Sequence, residues 1–299
     1  MNKKQLLLFI IPTLVAVMLL ILLLLGRSGI AVLDPQGLIA QKERGLITIG
    51  SFLALLIVVP VFILTFFIAY KYREGNEKAK YTPDQDHNLL LEIAWWAIPC
   101  AIIFILAAIT WVSSHQLDPF KPLTSSTKPI TIQVVALEWR WLFIYPQQNI
   151  ATLDYVEFPQ NTPVDFEITS DAPMNSFWIP SLGGQIYAMN GMTTQLHLLA
   201  NGVGTYNGSS ANISGAGFSE MKFIAQSSTE QEFETWVKQV KDSSNPLTLA
   251  KYDQISKPTI NTGQILFSSV DKNLYHDIVY KYLIPTNSEL KKYNSSGKY

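Results

Sequence analysis

The segment Gly204-Thr-Tyr-Asn-Gly-Ser-Ser-Ala-Asn-Ile-Ser-Gly-Ala-Gly-Phe-Ser-Glu-Met221 has the residue spacing of a metal-binding loop without its ligands. Its positions i, i+4, i+8 and i+11 are Ser210, Ser214, Phe218 and Met221. Cysteines at the first two positions and a histidine at the third would supply the soft thiolate and imidazole ligands that copper prefers. Serine, serine and phenylalanine stand there instead. We interpret the segment as a copper-site loop that lacks its ligands.

The composition of the 299-residue chain favours a membrane protein and excludes several kinds of site. Charged residues make up only 15% of the chain and hydrophobic residues 48%. The formal net charge of −1 gives no indication of nucleic-acid binding. The single cysteine, Cys100, lies in an apolar run, and one cysteine excludes both an intramolecular disulfide and a cysteine-based metal cluster within the chain.

Three apolar segments, residues 6–25, 46–70 and 89–112, are each long enough to cross a hydrocarbon core of about 30 Å at about 1.5 Å per residue. The last two predict a transmembrane helical hairpin within residues 29–115. The first follows Lys3 and Lys4, so residues 1–28 are either a secretory signal or an uncleaved apolar helix. Its length exceeds the usual apolar core of a signal, which favours the uncleaved helix.

Basic residues near the ends of these segments predict their orientation in the membrane. Six would be cytoplasmic and three external: Lys3, Lys4, Lys71, Arg73, Lys78 and Lys80 against Arg27, Lys42 and Arg44. The long region after residue 112 is therefore expected on the outer side.

Glu92 is the one charged residue in the third apolar segment. A carboxylate in a membrane helix is costly and usually faces protein or water, which makes it a candidate functional group. The alternative is that Glu92 lies one turn inside the cytoplasmic helix end and reaches the headgroups. Its position alone leaves both interpretations open.

Beyond a linker that contains proline and serine, the hydrophobic pattern acquires a period of two. Apolar residues alternate with their neighbours in short runs that include Ile130, Ile132 and Val134, and Val164, Phe166 and Ile168. Such runs, separated by Pro, Gly and Asn, predict an all-β sandwich or Greek-key barrel over residues 125–228. His197 is expected to be a strand residue with a hydrogen-bond partner rather than a metal ligand.

From residue 229 onward the apolar spacing becomes helical. The two sets of residues that carry this spacing are Phe233, Trp236, Val237 and Val240, and Leu274, Ile278, Val279 and Tyr282. They predict a short, aromatic-rich helical extension over residues 229–285, followed by a polar tail, 286–299. The aromatic segment 138–145 in the β-region is expected to serve mainly as core and interface.

Two membrane helices followed by an outer β-domain with this loop resemble subunit II of the haem–copper oxidases. The resemblance covers about residues 33–282 and is carried by three motifs. They are Leu137-Glu-Trp139-Arg-Trp141, similar to the family's tryptophan-rich motif; Met174-Asn175-Ser-Phe-Trp-Ile-Pro180, similar to the segment with the first copper-binding histidine; and residues 204–221, similar to the loop with the other ligands. The resemblance implies a cupredoxin-like Greek-key β-barrel.

In copper-bearing members of that family, two bridging thiolates hold a dinuclear copper centre that accepts electrons from cytochrome c. The resemblance implies that Asn175 and Phe218 replace the two histidines, Ser210 and Ser214 the cysteines and Asn212 the carbonyl donor, while Met221 is retained. A serine hydroxyl stays protonated near neutral pH and cannot bridge copper as a thiolate does. We expect these six residues, the copper-site positions, to hold no metal.

The chain is most similar to the branch of the family that lacks this centre, the quinol oxidases, and there to subunit II of the cytochrome bo type. The resemblance implies a proton-pumping ubiquinol oxidase of the bacterial inner membrane, in which subunit I reduces oxygen to water. Haems and the remaining copper are then expected in subunit I, with no cofactor on this chain. The implied partners are subunit I, further small membrane subunits, membrane lipid and, through subunit I, ubiquinol.

The resemblance also assigns roles to individual residues. Leu91-Glu92-Ile-Ala-Trp-Trp-Ala-Ile-Pro99 is similar to a helix of the family whose glutamate lies at the mouth of a proton pathway into subunit I. This implies a proton-entry role for Glu92 and no catalytic residue on this chain. Trp139 and Trp141 are expected in packing and in the subunit I interface, because copper is not expected beside them.

Two other functions stay open from the sequence. The first is a copper-dependent cytochrome c oxidase subunit II, which the missing ligands oppose. From Ser113 onward there are 16 acidic and 13 basic residues, and a net charge of −3 is modest for steering a basic cytochrome. The second is a membrane-tethered binding module with a degenerate cupredoxin barrel and no oxidase partner.

Overall fold

The computed structural model describes residues 17, 18, 21, 30–77, 79, 87–260 and 263–283. Most of the predicted N-terminal segment, 1–28, and the whole polar tail, 286–299, lie outside this part of the chain. The described residues divide into two compact units. One is built around Arg44–Leu117, and the other combines Pro35–Glu43 with the residues from Asp118 onward.

The first unit contains the two predicted apolar helices, α1 (Leu38–Lys71) and α2 (Leu89–Gln116). Both are long and apolar enough to cross a membrane, and almost none of their apolar surface is buried within the chain. This confirms the prediction of two apolar helices. Because lipid or another protein must cover such a surface, the side chains are consistent with a membrane environment.

Helix α1 begins at Leu38, well before the predicted start at residue 46. Its first turn, within Pro35–Glu43, packs in the second unit instead of the first. There the Ala40 N–H donates to the Leu182 carbonyl over 3.1 Å, and the Gln36 N–H donates to the Ser181 carbonyl over 2.7 Å. The start of this helix, which includes Lys42, has no continuous apolar pattern. The hydrophobic run alone therefore places the start of the helix too late.

The second unit is a β-sandwich followed by a mixed extension. The strands are β1 (Ile130–Leu137), β2 (Arg140–Tyr145), β3 (Ile150–Leu153), β4 (Tyr155–Pro159), β5 (Val164–Ser170), β6 (Asn175–Trp178), β7 (Ile186–Ala188), β8 (Thr194–Leu198), β9 (Gly204–Ser210), β10 (Lys222–Ser228), β11 (Pro246–Leu247), β12 (Ile265–Phe267) and β13 (Ser269–Val270). A six-stranded sheet has the order β12-β3-β2-β1-β5-β8, and a five-stranded sheet has the order β4-β10-β9-β6-β7. The predicted all-β domain is therefore confirmed.

The sandwich core consists of the inward-facing residues of both sheets, as the period of two predicts. Its centre is aromatic: the Phe177 and Phe223 rings stack at 5.1 Å with an angle of 7° between their planes. Trp141 meets both rings edge-on, at 5.3 and 5.9 Å between centroids. Offset and edge-on contacts of this kind add to the stabilisation that burial of the rings supplies.

His197 occupies the strand position that the sequence predicts, on β8 opposite Asp165 of β5. Its Nδ1 lies 2.6 Å from Asp165 Oδ1, so the predicted hydrogen-bond partner is Asp165. His197 is buried and belongs to no group of three or more potential metal-binding side chains among the described residues.

The C-terminal extension contains helices, as predicted, together with strands that the sequence pattern did not indicate. Its helices are α3 (Glu230–Lys241), α4 (Leu249–Ile255) and α5 (Leu274–Tyr280). Thr229 and Glu232 form a capping box at the start of α3, while Phe233, Val237 and Val240 pack against the core. The extension also adds β12 to the edge of the six-stranded sheet.

A second apolar cluster attaches the extension to the outward face of that sheet. The cluster joins residues of β1, β2 and β3 with residues of the extension. The sheet contributes Val135, Leu137, Leu142, Ile144, Ala151 and Leu153. The extension contributes Leu247, Tyr252, Ile255, Phe267, Leu274 and Ile278. The six-stranded sheet is thus apolar on both faces along these strands. This is why β2 and β3 are buried at every position instead of at alternate ones.

Candidate site at the copper-site positions

Asn175 and Ser210 meet at the end of the five-stranded sheet, where Asn175 begins β6 and Ser210 ends β9. Both residues are buried. The Ser210 hydroxyl donates to Asn175 Oδ1 over 3.0 Å and lies 3.3 Å from the Asn212 carbonyl oxygen. The structure therefore brings together the serine, the asparagine and the carbonyl that the sequence assigns to the copper-site positions.

Side-chain amides close the same loop around these contacts. Asn212 Nδ2 donates to the Met174 carbonyl over 2.9 Å, and Asn175 Nδ2 donates to the Pro173 carbonyl over 2.6 Å. The first bond ties the 211–217 loop to the loop between β5 and β6, and the second lies within that β5–β6 connection. Because each of these two amide groups donates to a backbone carbonyl, the Asn175 and Asn212 side chains have hydrogen-bond partners within the chain.

Met221 and Phe218 follow at the far side of the loop. Met221 is fully buried in the sandwich core, and its carbonyl accepts from the Ser210 N–H over 3.0 Å. Phe218 begins a short 3-10 helix, Phe218–Glu220, and is only partly buried. The methionine that the resemblance retains as a ligand therefore acts here as a core residue.

Ser214 and the glycines beside it form a cradle for the Trp139 indole. Trp139 Nε1 donates to the Ser214 carbonyl over 3.4 Å. A Cβ atom at Gly217 would lie 2.4 Å from the Trp139 ring, so only glycine permits this approach. Trp139 itself has a φ of 67°, an uncommon value for a bulky residue. The glycine-rich composition of the loop is thus explained by the indole that lies on it.

The residues at the copper-site positions do not fit a dinuclear copper centre. Copper in such a centre requires thiolate and imidazole ligands, and apart from the buried Met221 thioether these positions offer only hydroxyl, amide, carbonyl and phenyl groups. The Ser210 hydroxyl and the Asn175 amide also satisfy each other at 3.0 Å. Among the described residues, no group of three or more His, Cys, Asp or Glu side chains could hold a metal ion. We therefore derive no step that passes through a metal at this site.

Trp141 and Trp139 differ in burial. Its side chain is fully buried between the sheets, among Phe177 and Phe223. Trp141 therefore packs in the core, and none of its side chain is exposed at the surface of this chain. Trp139 is only partly buried and keeps some accessible surface.

The turn between β1 and β2 is held by a partly buried ion pair that the sequence did not suggest. Arg140 Nε lies 2.7 Å from Asp154 Oδ2, and Asp154 Oδ1 accepts from the Trp141 N–H over 2.8 Å. Burial raises the pKa of the Asp154 carboxyl, and the Trp141 N–H and the Arg140 charge offset only part of that rise. Arg140 also donates to the Gly263 carbonyl over 2.5 Å, which links the hairpin to the C-terminal extension.

Glu92 belongs to the other unit, where it lies in the first turn of α2. Asn88 caps this helix: its side chain accepts from the Leu91 N–H over 3.2 Å. Glu92 Oε1 in turn accepts from the Asn88 N–H over 3.3 Å. The carboxylate is therefore directed back toward the helix N-terminus instead of along the apolar surface.

Asp171 is an important residue that the sequence reading missed. Its buried carboxylate accepts hydrogen bonds from Tyr252, Lys281 and Tyr282 of the extension. These partners are 81, 110 and 111 positions away, and no periodic pattern connects residues at such separations. A buried carboxylate with aromatic partners at distant positions has no local sequence signal that could have identified it.

Two family models match the second unit. The cytochrome c oxidase subunit II periplasmic domain matches residues 147–228, and the COX aromatic-rich motif matches residues 241–286. The first covers most of the β-sandwich with the copper-site positions. The second covers α4, α5 and the strands of the extension, so both parts of this unit have counterparts in one family.

The chain is also similar over most of its length to named relatives. It is 50% identical over 261 residues to the cytochrome bo(3) ubiquinol oxidase subunit 2 of Pseudomonas putida, a match that covers 87% of this chain and 83% of the relative. The corresponding protein of Pseudomonas aeruginosa is 48% identical over 87% of this chain and 78% of its own length. The ubiquinol oxidase subunit 2 of Acetobacter aceti is 44% identical over 92% of this chain and 89% of its own length. The chain therefore belongs to the subunit II family of the haem–copper oxidases, in the group that contains the ubiquinol oxidase subunits.

Proposed function

We propose that this chain is the non-catalytic subunit II of a terminal oxidase that takes electrons from ubiquinol and reduces oxygen to water in subunit I. The observation that carries the proposal is the hydrogen bond of 3.0 Å between Ser210 and Asn175, two residues at which a copper-bearing subunit would need ligands. With no ligand set for copper, this chain lacks a centre at which a soluble cytochrome could deliver electrons. The haems and copper of the complex then belong to subunit I.

The membrane placement follows from the helices and their charges. The large apolar side chains of α1 and α2 are exposed along nearly the whole of both helices, so lipid and subunit I must cover them. Lys71 and Arg73, at and just beyond the end of α1, support a cytoplasmic location for that end of the helix. The sandwich is then periplasmic, and the chain spans the bacterial inner membrane with subunit I and further small subunits as neighbours.

Glu92 is proposed as the point at which protons enter from the cytoplasm. Trp95 and Trp96, one turn further along α2, are exposed, as expected of aromatic residues at a membrane interface. Glu92 therefore lies toward the aqueous end of the helix, where a carboxylate can exchange protons with water. From there it would pass protons to a water chain in subunit I.

Trp139 and the loop beneath it are proposed as part of the contact with subunit I. Ile213, at the tip of that loop, is highly exposed, as is Met174, whose carbonyl the Asn212 amide contacts. Exposed apolar residues next to an aromatic side chain are typical of protein interfaces. The end of the sandwich that bears the copper-site positions thus has a structural role rather than an electron-transfer role.

Purification of the intact complex through a tag on this chain tests the proposal. We expect haem to copurify, ubiquinol to support oxygen consumption, and reduced cytochrome c to support none. The copper content should not exceed what subunit I accounts for. Rapid turnover with cytochrome c and additional copper on this chain would establish the copper-dependent alternative, and a chain that purifies without haem would establish the binding-module alternative.

A further inference from the structure

His87 lies directly before the capping residue of α2 and contacts Glu92. The His87 Nδ1 atom is 3.4 Å from Glu92 Oε1. The His87 side chain is 83% exposed and the Glu92 side chain 37% exposed. A largely exposed imidazole thus contacts the partly exposed carboxylate that we propose as the proton entry point.

The helix end determines this geometry. Asn88 is extended, with φ −143° and ψ 100°, and caps α2, so the chain leaves the helix axis at His87. The Asn88 N–H holds Glu92 Oε1 at 3.3 Å, on the side from which His87 approaches. Both contacts use Oε1, and the second carboxylate oxygen takes part in neither. The cap therefore positions the pair, while one oxygen remains free of both contacts.

We propose that His87 collects protons from the cytoplasmic water and delivers them to Glu92. The inference rests on the proposed function, because it needs Glu92 as the entry point. In each cycle the imidazolium transfers its Nδ1 proton to the Glu92 carboxylate. The ring is left neutral with its hydrogen on Nε2 and takes up another proton from water. Glu92 is left neutral until it passes the proton onward.

The chemistry favours an imidazole for this step. Histidine is the side chain that ordinarily changes charge between about pH 5 and 8, so it can both capture and release protons in that range. A proton-transfer group works best when its two protonation states are both populated at the working pH. A carboxylate that takes protons only from bulk water receives them more slowly as the pH rises. A neighbouring imidazole offsets this loss because it delivers protons that it has already bound.

The test compares His87→Gln and Glu92→Gln in the assembled oxidase, with steady-state ubiquinol oxidation measured from pH 5.5 to 8.5. We expect His87→Gln to slow turnover by about three- to tenfold at the alkaline end and to have little effect at the acidic end. Added imidazole buffer should restore the rate of His87→Gln, because small imidazole can protonate Glu92 directly. It should not restore Glu92→Gln.

A matched control lies on the outer domain. His276 Nδ1 is 3.5 Å from Asp277 Oδ1, and both side chains are exposed, so the pair resembles that of His87 and Glu92 in geometry. His276→Gln should leave the pH profile of turnover unchanged. Haem content and subunit composition of every variant show that the complex has assembled.

The outcomes separate the two proposals. Full activity of His87→Gln at all pH values, with a slow Glu92→Gln, overturns the role of His87 and keeps that of Glu92. A slow His87→Gln that imidazole does not restore also overturns proton collection, since it indicates a structural role at the helix end. Full activity of both variants removes the proton-entry role itself.

Discussion

The Tyr252 hydroxyl donates a hydrogen bond of 2.6 Å to the Asp171 carboxylate, across 81 positions of the chain. The same carboxylate accepts from Lys281 Nζ over 2.7 Å and from the Tyr282 hydroxyl over 2.5 Å. The Asp171 side chain is only 2% exposed. Burial alone lowers the pKa of Lys281, but the hydrogen bond and charge of Asp171 outweigh it and raise that pKa. Asp171 is therefore the polar anchor of the extension on the sandwich.

We expect Asp171→Ala to lower the free energy of unfolding by about 2 to 4 kcal/mol, since it removes a buried acceptor from three donors at once. Denaturant unfolding of the full-length chain in detergent measures the change, and limited proteolysis reports whether the extension detaches. Asp242→Ala, at the exposed end of α3, is the control. Equal stability of the two variants would contradict the anchoring role.

The hydrogen bond between Ser210 and Asn175 predicts a structural cost at the copper-site positions. Ser210→Ala leaves the buried Asn175 oxygen without this donor, which should lower the unfolding free energy by about 1 to 2 kcal/mol. Turnover with ubiquinol should be unchanged in the assembled complex, because the proposed function gives this position no electron-transfer role. Thermal unfolding of Ser210→Ala, compared with that of the exposed control Ser243→Ala, measures the loss of stability. Loss of turnover in a normally folded complex would argue against the structural assignment.

Gly208 is required by the ring of its cross-strand neighbour. The register of β9 and β10 places Gly208 opposite Phe223, and a Cβ atom at Gly208 would lie 2.1 Å from that ring. Gly208→Ala must displace a core aromatic side chain and should cost about 1 to 3 kcal/mol. Gly202→Ala, where a Cβ would meet nothing within 4 Å, is the matched control and should be neutral or slightly stabilising. Equal melting temperatures of Gly208→Ala and Gly202→Ala would contradict the close packing of Gly208 against the Phe223 ring.

Glu157 predicts a pH dependence of stability. Burial raises the pKa of this carboxyl above its ordinary value of 4.5, and the hydrogen bond from Tyr155 offsets only part of the rise. The folded state then binds the proton more tightly than the unfolded state does. The resulting stability is fully present below about pH 4.5 and is lost as the pH rises through the folded-state pKa.

Glu157→Gln should remove this dependence, because glutamine stays neutral and still accepts a hydrogen bond from Tyr155. The melting temperature of the variant minus that of the wild type should therefore increase between pH 4 and pH 8. Glu234→Gln, on the exposed face of α3, should show no such trend. A constant difference for Glu157→Gln across this range would show that the carboxyl titrates as it does in the unfolded chain.

Glu92→Gln should slow ubiquinol turnover at every pH while haem content and assembly stay normal, since the variant cannot carry a proton. A loss of about 10-fold or more is expected for removal of a proton-transfer group. Glu74→Gln, an exposed carboxylate beyond the end of α1, is the control and should keep full activity. Unchanged turnover in Glu92→Gln would return the residue to a helix-capping role.

The sequence predicted the larger elements well and their edges less well. The apolar runs identified α1 and α2, but α1 begins before its apolar run, because backbone hydrogen bonds to Ser181 and Leu182 hold its start in the second unit. The helical spacing identified α3 and α5. It could not indicate β12, which is too short for a clear pattern and exists as a strand because β3 provides its partner.

The roles of the two tryptophans separate for a similar reason. Trp139 and Trp141 are two positions apart in one motif, yet only Trp141 is enclosed between the sheets. Trp139 lies in the turn between β1 and β2 with a positive φ, which directs it onto the glycine-rich loop. Composition and spacing treat the two residues alike, and the turn conformation distinguishes them.

By itself the sequence determined the two apolar helices, the β-sandwich and the loss of copper ligands, because hydrophobic periodicity and ligand chemistry are properties of local residue types. The tertiary structure alone decided that Ser210 and Asn175 satisfy each other, that Asp171 anchors the extension and that Gly217 faces Trp139. These contacts join residues far apart in the chain, and strand order, register and turn geometry bring them within bonding distance.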